Sequence, residues 1–395
     1  MKRSLLIVFC CLFFILSFNK AGICAYSWAT LTDFKGIDQF SLFLTGNLEY
    51  YSSDIQGRVA VGRDAKLKNF SIGRHADSNK YSLIVGGNLT AEDGQVEKGS
   101  VYVGGDVNLT RVTINPYSDP NIELSSKRNV NLTELTLKSN VKAYGDLKVK
   151  KAAIEKNAYS KGDVYLTKAT VKGNVYTKGK VIYNNAGIEG QIIKDDSFVV
   201  NSPFDFSAVN LKTISNNLYK DGIDLLDSDN DKNITIKLDK SGVYYYDIKA
   251  SIFESISQFF IDAPSQTTII INVIDDLDSI TIADKDFRIS GGITSDDILY
   301  NFIDDEDGNL DLDLNHFGLL GSILAPDGDI EFYEGVLTGS IMARNFTLPG
   351  IGTFNSGQIN TAPLPSSFYM LIAAFVLLIF YKYSVFTNRS SKAIL

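Results

Sequence analysis

Cysteine is almost missing from this 395-residue chain. The only three, Cys10, Cys11 and Cys24, lie before residue 26. Beyond that point there can be no disulfide, no thiol nucleophile and no cysteine-bound zinc. The core alone must hold the chain together, and several hundred residues are enough to bury one. Histidine is nearly as scarce. His75 and His316 are the only two, and neither sits in a local catalytic motif. Both read as surface or packed residues, which leaves little for Ser-His-Asp chemistry. Net positive charge is absent too. A formal charge of -8 argues against nucleic acid and against an anionic membrane surface as partners. Lysine is concentrated between Lys138 and Lys180, and acid between Asp275 and Asp313. Lysines alternating with apolar residues, as in Lys148-Val149-Lys150, suit the solvent face and edges of strands.

The ends read as export and membrane signals. Lys2 and Arg3 precede an apolar run, Leu5 to Leu16, and a small-residue stretch around Ala25. That order is a secretory signal peptide, residues 1–25. Pro363-Leu364-Pro365-Ser366-Ser367 reads as a linker, 361–367. Residues 368–386 then form an apolar segment interrupted only by Lys382. It is long enough to span a bilayer if that lysine reaches the headgroups. The basic tail, 387–395, places the large domain, 26–360, outside the cytoplasm. The expected location is therefore the cell surface.

What recurs is a short phrase: glycine, then Asn or Asp, then an aliphatic residue. It stands at Gly46, Gly87, Gly105, Gly145, Gly162, Gly173 and Gly328. A second glycine follows eleven positions after Gly46, Gly162 and Gly328, at Gly57, Gly173 and Gly339. Gly-Asn and Gly-Asp tolerate a left-handed backbone, so these glycines are expected at tight corners, some with positive φ. Alternating residues after each corner, as in Val164-Tyr165-Leu166, predict strands with one buried face. Most gaps are one or two units of roughly 17–20 residues. The fold class expected is mainly β: a solenoid of short strand–corner rungs.

Ser202-Pro203-Phe204-Asp205 predicts a helix start, with Ser202 as cap. Leu211, Ile214 and Leu218 follow at helical spacing and Gly222 ends the run. One helix is thus expected on the flank of the coil. Thr268 to Val273 is nearly all apolar and predicts a fully buried strand. Ile323, Leu324, Ile330, Ile341 and Met342 read as an inner-face row that would be half wet on a terminal rung. Stacking Gly321–Ala343 against Phe43–Gly62 would bury it, so the two segments are expected to be neighbours.

Two acidic stretches invite calcium. Asp227, Asp229 and Asp231 alternate as in a calcium loop, but Lys232 and Leu238 replace the glycine and glutamate such a loop needs. Asp304, Asp305, Asp307 and Asp311 form a denser oxygen-only candidate. No other cofactor is expected.

These residues also resemble a known family. Phe43-Leu44-Thr45-Gly46-Asn47-Leu48 with Ser53 to Gly62 is similar to the opening signature of the choice-of-anchor A domain. Leu83 to Leu89, Ser202 to Phe206, Ile298 to Phe302, and Gly321 to Pro326 with Gly339 to Ala343 resemble its later signatures, in order, over 34–357. The resemblance implies an adhesive module on an ice-binding-type β-solenoid, with a C-terminal anchor and no established catalytic residues. Leu364 departs from the glutamate of a Pro-Glu-Pro sorting tail, so a plain membrane anchor and a processed tail both stay open. The function expected is a non-catalytic surface adhesin that binds polysaccharide, matrix or another cell. The alternatives are ice binding, for which Thr133, Thr136, Thr167, Thr170 and Thr177 are too scattered among lysines, and a polysaccharide lyase. A lyase would have to use Arg58, Arg63 and the acidic cluster, whereas Arg58 reads more simply as a partner of Asp54.

Overall fold

The computed structural model describes residues 28–349 except 78–79, 116, 118, 120, 221, 226–231, 275–278 and 304–309, with the strand Thr353–Asn355. The signal segment, the linker, the apolar segment 368–386 and the tail lie outside the described residues. Among those described, no helix is long and apolar enough to cross a membrane.

Short alternating segments become strands that stack in parallel around three sides of a coil. On the first side, Leu42–Leu44, Val59–Val61, Tyr81–Val85, Ser100–Val103 and Glu123–Ser126 follow in register. On the second, Leu48–Tyr51, Ala65–Lys68, Leu89–Val96, Val107–Ile114 and Val130–Thr133 do the same. The third carries Asp54–Ile55 on Ser71–Ile72 and, further along, Thr136–Leu137, Ala153–Ile154, Thr170–Val171 and Gly187–Ile188. Period-two alternation sends Leu48, Val61, Leu109, Leu132, Val149 and Leu166 inward, where they form one continuous core.

The chain does not build this coil in sequence order. It starts in the middle and climbs to an end at Ile192–Ile193. It then returns along the flank and restarts at the other end with Ile223–Asp224. From there it climbs back to Ile341–Leu348. Leu42–Leu44 is therefore sandwiched between Val59–Val61 and the late strand, with Leu42 opposite Ile341 and Leu44 opposite Ala343. Ile323 in turn lies opposite Ile341. The expected closure of early on late rungs is what the register shows. One detail differs: Leu324 and Met342 point outward rather than inward, into a second apolar layer.

That second layer exists because the first side is apolar on both surfaces. Phe43, Ala60, Ile84, Tyr102, Ile270, Leu299, Leu324 and Met342 face out from the sheet. Trp28, Phe34, Ile37 and Phe40 cover them from the N-terminal side, and Leu211, Ile214 and Leu218 from the helix. Each such side chain removed from water contributes on the order of 1.5–3 kcal/mol. Thr268–Ile274 is buried on both faces for the same reason, as its apolar run implied.

The helix spans Leu211–Leu218, later than Ser202. Its cap is Asn210, whose side chain accepts from the Thr213 N–H at 2.9 Å. Ser202 and Pro203 belong to an extended stretch instead. Phe204 and Phe206 there dock edge-on and stacked on Phe43, at 5.7 and 5.9 Å between ring centroids. Asp205 caps only a single 3₁₀ turn, Phe206–Ala208, accepting from the Ser207 N–H at 3.0 Å, and α-helical bonding begins at Asn210. A second helix, Ala250–Ser255, was not foreseen. It closes a corner of the coil, with Phe253 buried among aromatic rings.

Candidate functional site: the two open sides

With the first side covered, the second and third are the surfaces a partner can reach. Three devices set their geometry. The first is a ladder of Asn and Asp between the first and second sides. Each side-chain oxygen accepts the N–H of the ladder residue on the next rung. The Asp146 N–H donates to Asn129 at 2.8 Å, Asp163 to Asp146 at 2.9 Å and Lys180 to Asp163 at 2.7 Å. The chain of bonds runs back through Asp106, Asn88, Asp64 and Asn47 to Asn345, crossing the junction of early and late rungs. A second ladder, Asn140, Asn157, Asn174 and Gln191, repeats the pattern at 17-residue intervals.

The ladder explains the recurring glycines, and not by the route expected. Gly46, Gly57, Gly87, Gly105, Gly162, Gly173 and Gly328 have no positive φ; of the eight corner glycines only Gly339 does, at 153°. Space is the reason at Gly46, Gly87, Gly105, Gly162 and Gly173, where a Cβ would clash with the neighbouring rung, while Gly328 lies inside the strand Ser322–Thr338 rather than at a corner. A Cβ on Gly173 would stand 2.5 Å from the Asn157 Oδ1 and 2.7 Å from the Lys156 carbonyl oxygen. Rungs this close leave room for hydrogen only.

The left-handed residues are elsewhere. Glu134, Lys151, Lys168 and Asn185 turn the chain from the second to the third side, with φ of 54, 49, 49 and 50°. Each of the first three gives its N–H to the next rung, at 2.8–3.0 Å, which holds this otherwise costly conformation. Their side chains point out, and those of Glu134 and Lys151 pair along the corner. Lys151 bonds Glu134 at 2.9 Å, and Arg111 lies 3.6 Å from Glu134. The Lys151 ammonium, then Arg111, holds the Glu134 carboxyl below its usual range.

The second side presents in-register outward columns. Lys66, Thr90, Asn108, Asn131, Lys148 and Tyr165 form one of them. Toward the other end the column continues as Glu49, Thr347, Glu331 and Asp313. Here an open groove of about 450 Å³ is lined by Glu49, Asp311, Asp313, Asp329 and Glu331, among others. Burial first, then Glu331 and Asp311, raises the Asp313 pKa. Asp329 is held by Arg344 and Asn345, each at 2.7 Å. On the third side, Thr136, Ala153, Thr170 and Gly187 make a narrow stripe of small residues. Ion pairs such as Lys172–Glu155, at 2.9 Å, border it.

Of the calcium candidates, Asp311 lies in the acidic groove, while Asp304, Asp305, Asp307, Asp227, Asp229 and Asp231 lie outside the described residues. No group of three or more His, Cys, Asp or Glu side chains among the described residues is placed to hold a metal ion. Arg58 does not pair with Asp54. It donates to the Tyr81 carbonyl at 2.8 Å and lies 4.5 Å over the Phe40 ring, while Asp54 faces Arg74 at 3.8 Å. Phe40 is fixed by the second apolar layer, and the guanidinium stacks on it in preference to an exposed carboxylate. Neither Arg58 nor Arg63 lines the acidic groove. Both histidines are exposed, and His316 sits 3.2 Å from Glu334. The threonines do not assemble into a row: Lys150 separates Thr133 from Thr167, Ala153 separates Thr136 from Thr170, and Thr177 is buried.

This architecture has a family. The profile of the "Putative Ice-binding-like adhesive domain" matches residues 33–146 and 121–359. The chain belongs to that family. Among solved structures it is similar to an ice binding protein from an Antarctic Flavobacteriaceae bacterium. The identity is 12%, over 82% of this chain and 97% of that one, with a TM-score of 0.24. No curated protein matches the chain.

The ladders, the left-handed corner and the paired outer columns are what motif reading missed. A signal for the first was present: Asn129, Asp146 and Asp163 recur every 17 residues.

Proposed function

We propose that the chain is an exported, non-catalytic adhesin of the choice-of-anchor A kind. Residues 1–25 direct export and residues 26–360 form the adhesive domain. Residues 361–367 link it to a membrane anchor at 368–386 with a cytoplasmic tail. The partner is an extracellular polysaccharide, matrix component or cell-surface ligand, met without cofactor and without nucleic acid. The observation that carries this reading is the pair of long, flat, open sides on a domain of an adhesive family. Rows of amide, hydroxyl, ammonium and tyrosine groups at rung spacing suit an extended polymer better than a small substrate. Asn108, Asn131, Lys148 and Tyr165 are the residues placed to do this on the second side. Ice binding on the same scaffold is the second reading, favoured by the stripe at Thr136, Ala153, Thr170 and Gly187. Charged borders and the interrupted threonines weigh against it.

A glycan and matrix array probed with residues 26–360 tests both. Binding lost at least tenfold in Lys148→Ala/Tyr165→Ala, without inhibition of ice recrystallisation, is the expected result. Ice activity lost in Thr170→Lys and no array signal would favour the second reading.

A further inference from the structure

One end of the coil is open. The last rung consists of Val181–Asn184, Gly187–Ile188 and Ile192–Ile193. Its inward residues continue core columns: Tyr183 follows Leu166, Ile188 follows Val171 and Ile192 follows Val175. Those predecessors are fully buried, yet Tyr183 is 47% and Ile192 42% exposed. Ile182 and Val199 are exposed beside them. Among the described residues, the main-chain N–H and C=O groups on all three sides of this rung have no strand beyond them. An uncapped solenoid end with free strand edges is a template for pairing.

We propose that this end is the contact of a homodimer in which two copies meet head to head. The opposite end is a poorer match for it. Ile223 is exposed there, but Ile234 and Ile236 on the outermost second strand are 3% exposed, so no core of equal section is open. A half-turn brings an identical open rung into place, and an isologous contact covers all three sides at once. A single added strand would cover one. Charge is compatible: the rim of this end mixes Lys180 and Lys194 with Glu189, so a half-turn sets no single-sign surface against itself. This contact stands apart from the ligand columns and does not depend on the adhesive reading.

The test uses the full chain in a mild non-ionic detergent. Mass is read by light scattering over a hundredfold concentration range, and hydrogen exchange of residues 181–193 is followed in the same samples. Two chains per particle are expected at the upper concentrations, with end-rung exchange at least tenfold slower there than after dilution. Ile192→Lys should give single chains with an unchanged circular dichroism spectrum, and Thr136→Lys should remain dimeric. Should Ile192→Lys lose its fold, Tyr183→Lys takes its place. Single chains throughout would overturn the proposal. So would slow exchange that ignores dilution, since another segment of the same chain would then be the cover. A dimer indifferent to both lysine variants would also overturn it.

Discussion

The two halves of the coil are built on the same inner logic but held differently. The half from Leu42 to Ile193 is a stack of nearly equal rungs, fixed by side-chain ladders at the corners and aliphatic columns inside. The half from Ile223 to Leu348 has longer strands and an aromatic interior. Phe253 there lies 5.7 Å from Tyr300 and 6.1 Å from Phe302, centroid to centroid. Its polar ladder is short and buried: Asn272 donates to Asp247 at 2.7 Å and Ser215 donates to Asn301 at 2.7 Å, which pins the helix to the sheet. Regular rungs gain stability by repetition, so each corner matters modestly. Irregular rungs concentrate it in a few large side chains.

Mutations can break that contrast. The largest effect is expected in the irregular half. Phe253→Ala empties a fully buried ring site and should cost about 3–5 kcal/mol in urea unfolding. A cost below 1 kcal/mol would mean the aromatic cluster is not where that half is held. Next comes Gly173→Val, whose Cβ meets the preceding rung. Overpacking of this kind should cost about 1–3 kcal/mol, and an unchanged melting temperature would refute the close approach of rungs. Asn157→Ala leaves the Asn174 N–H without its acceptor and should cost about 1–2 kcal/mol; hydrogen exchange at Asn174 should rise with it.

A pH effect separates the halves further. Burial, helped by the neighbouring Asp297, raises the Asp296 pKa to about 6. Between the ordinary carboxylate value and 6 the folded chain holds a proton that the unfolded chain releases. Stability from this group is therefore present below pH 4 and is lost as pH rises through 6. Asp296→Asn should melt higher than the native chain at pH 7 and no higher at pH 4. Equal gaps at both pH values would contradict the assignment. The smallest effect is expected at the left-handed corner, where Lys168→Gly removes a strained φ of 49° and should stabilise by up to about 1 kcal/mol.

Much of this was legible before any coordinates. Alternation marked the strands, and the likeness of Gly321–Ala343 to Phe43–Gly62 marked the closure, because a half-wet apolar row must find a partner; most glycines of the recurring phrase serve close approach of chains rather than a left-handed corner. What was not legible depends on contacts between rungs. Glycine at Gly173 looks the same in sequence whether it serves φ or space. Lysine and glutamate at Lys151 and Glu134 carry no local sign of a left-handed turn, since the bonds to neighbouring rungs impose it. The helix start moved from Ser202 to Asn210 because Phe204 and Phe206 find Phe43, a residue some 160 positions earlier. On the open sides, individual lysines and asparagines were readable, but their columns appear only once the register is known.

The central claim is that the first and last rungs of the chain meet in the middle of the coil. Glu49, which is exposed, and Thr347, which is half-buried, are partners across that junction. Spin labels at Glu49→Cys and Thr347→Cys, in residues 26–360 where no native cysteine remains, test it directly. The register predicts adjacent strands, with Cα atoms about 5 Å apart and strong dipolar broadening. A separation beyond about 15 Å, three strand spacings, would place the two segments on distant rungs and contradict the account.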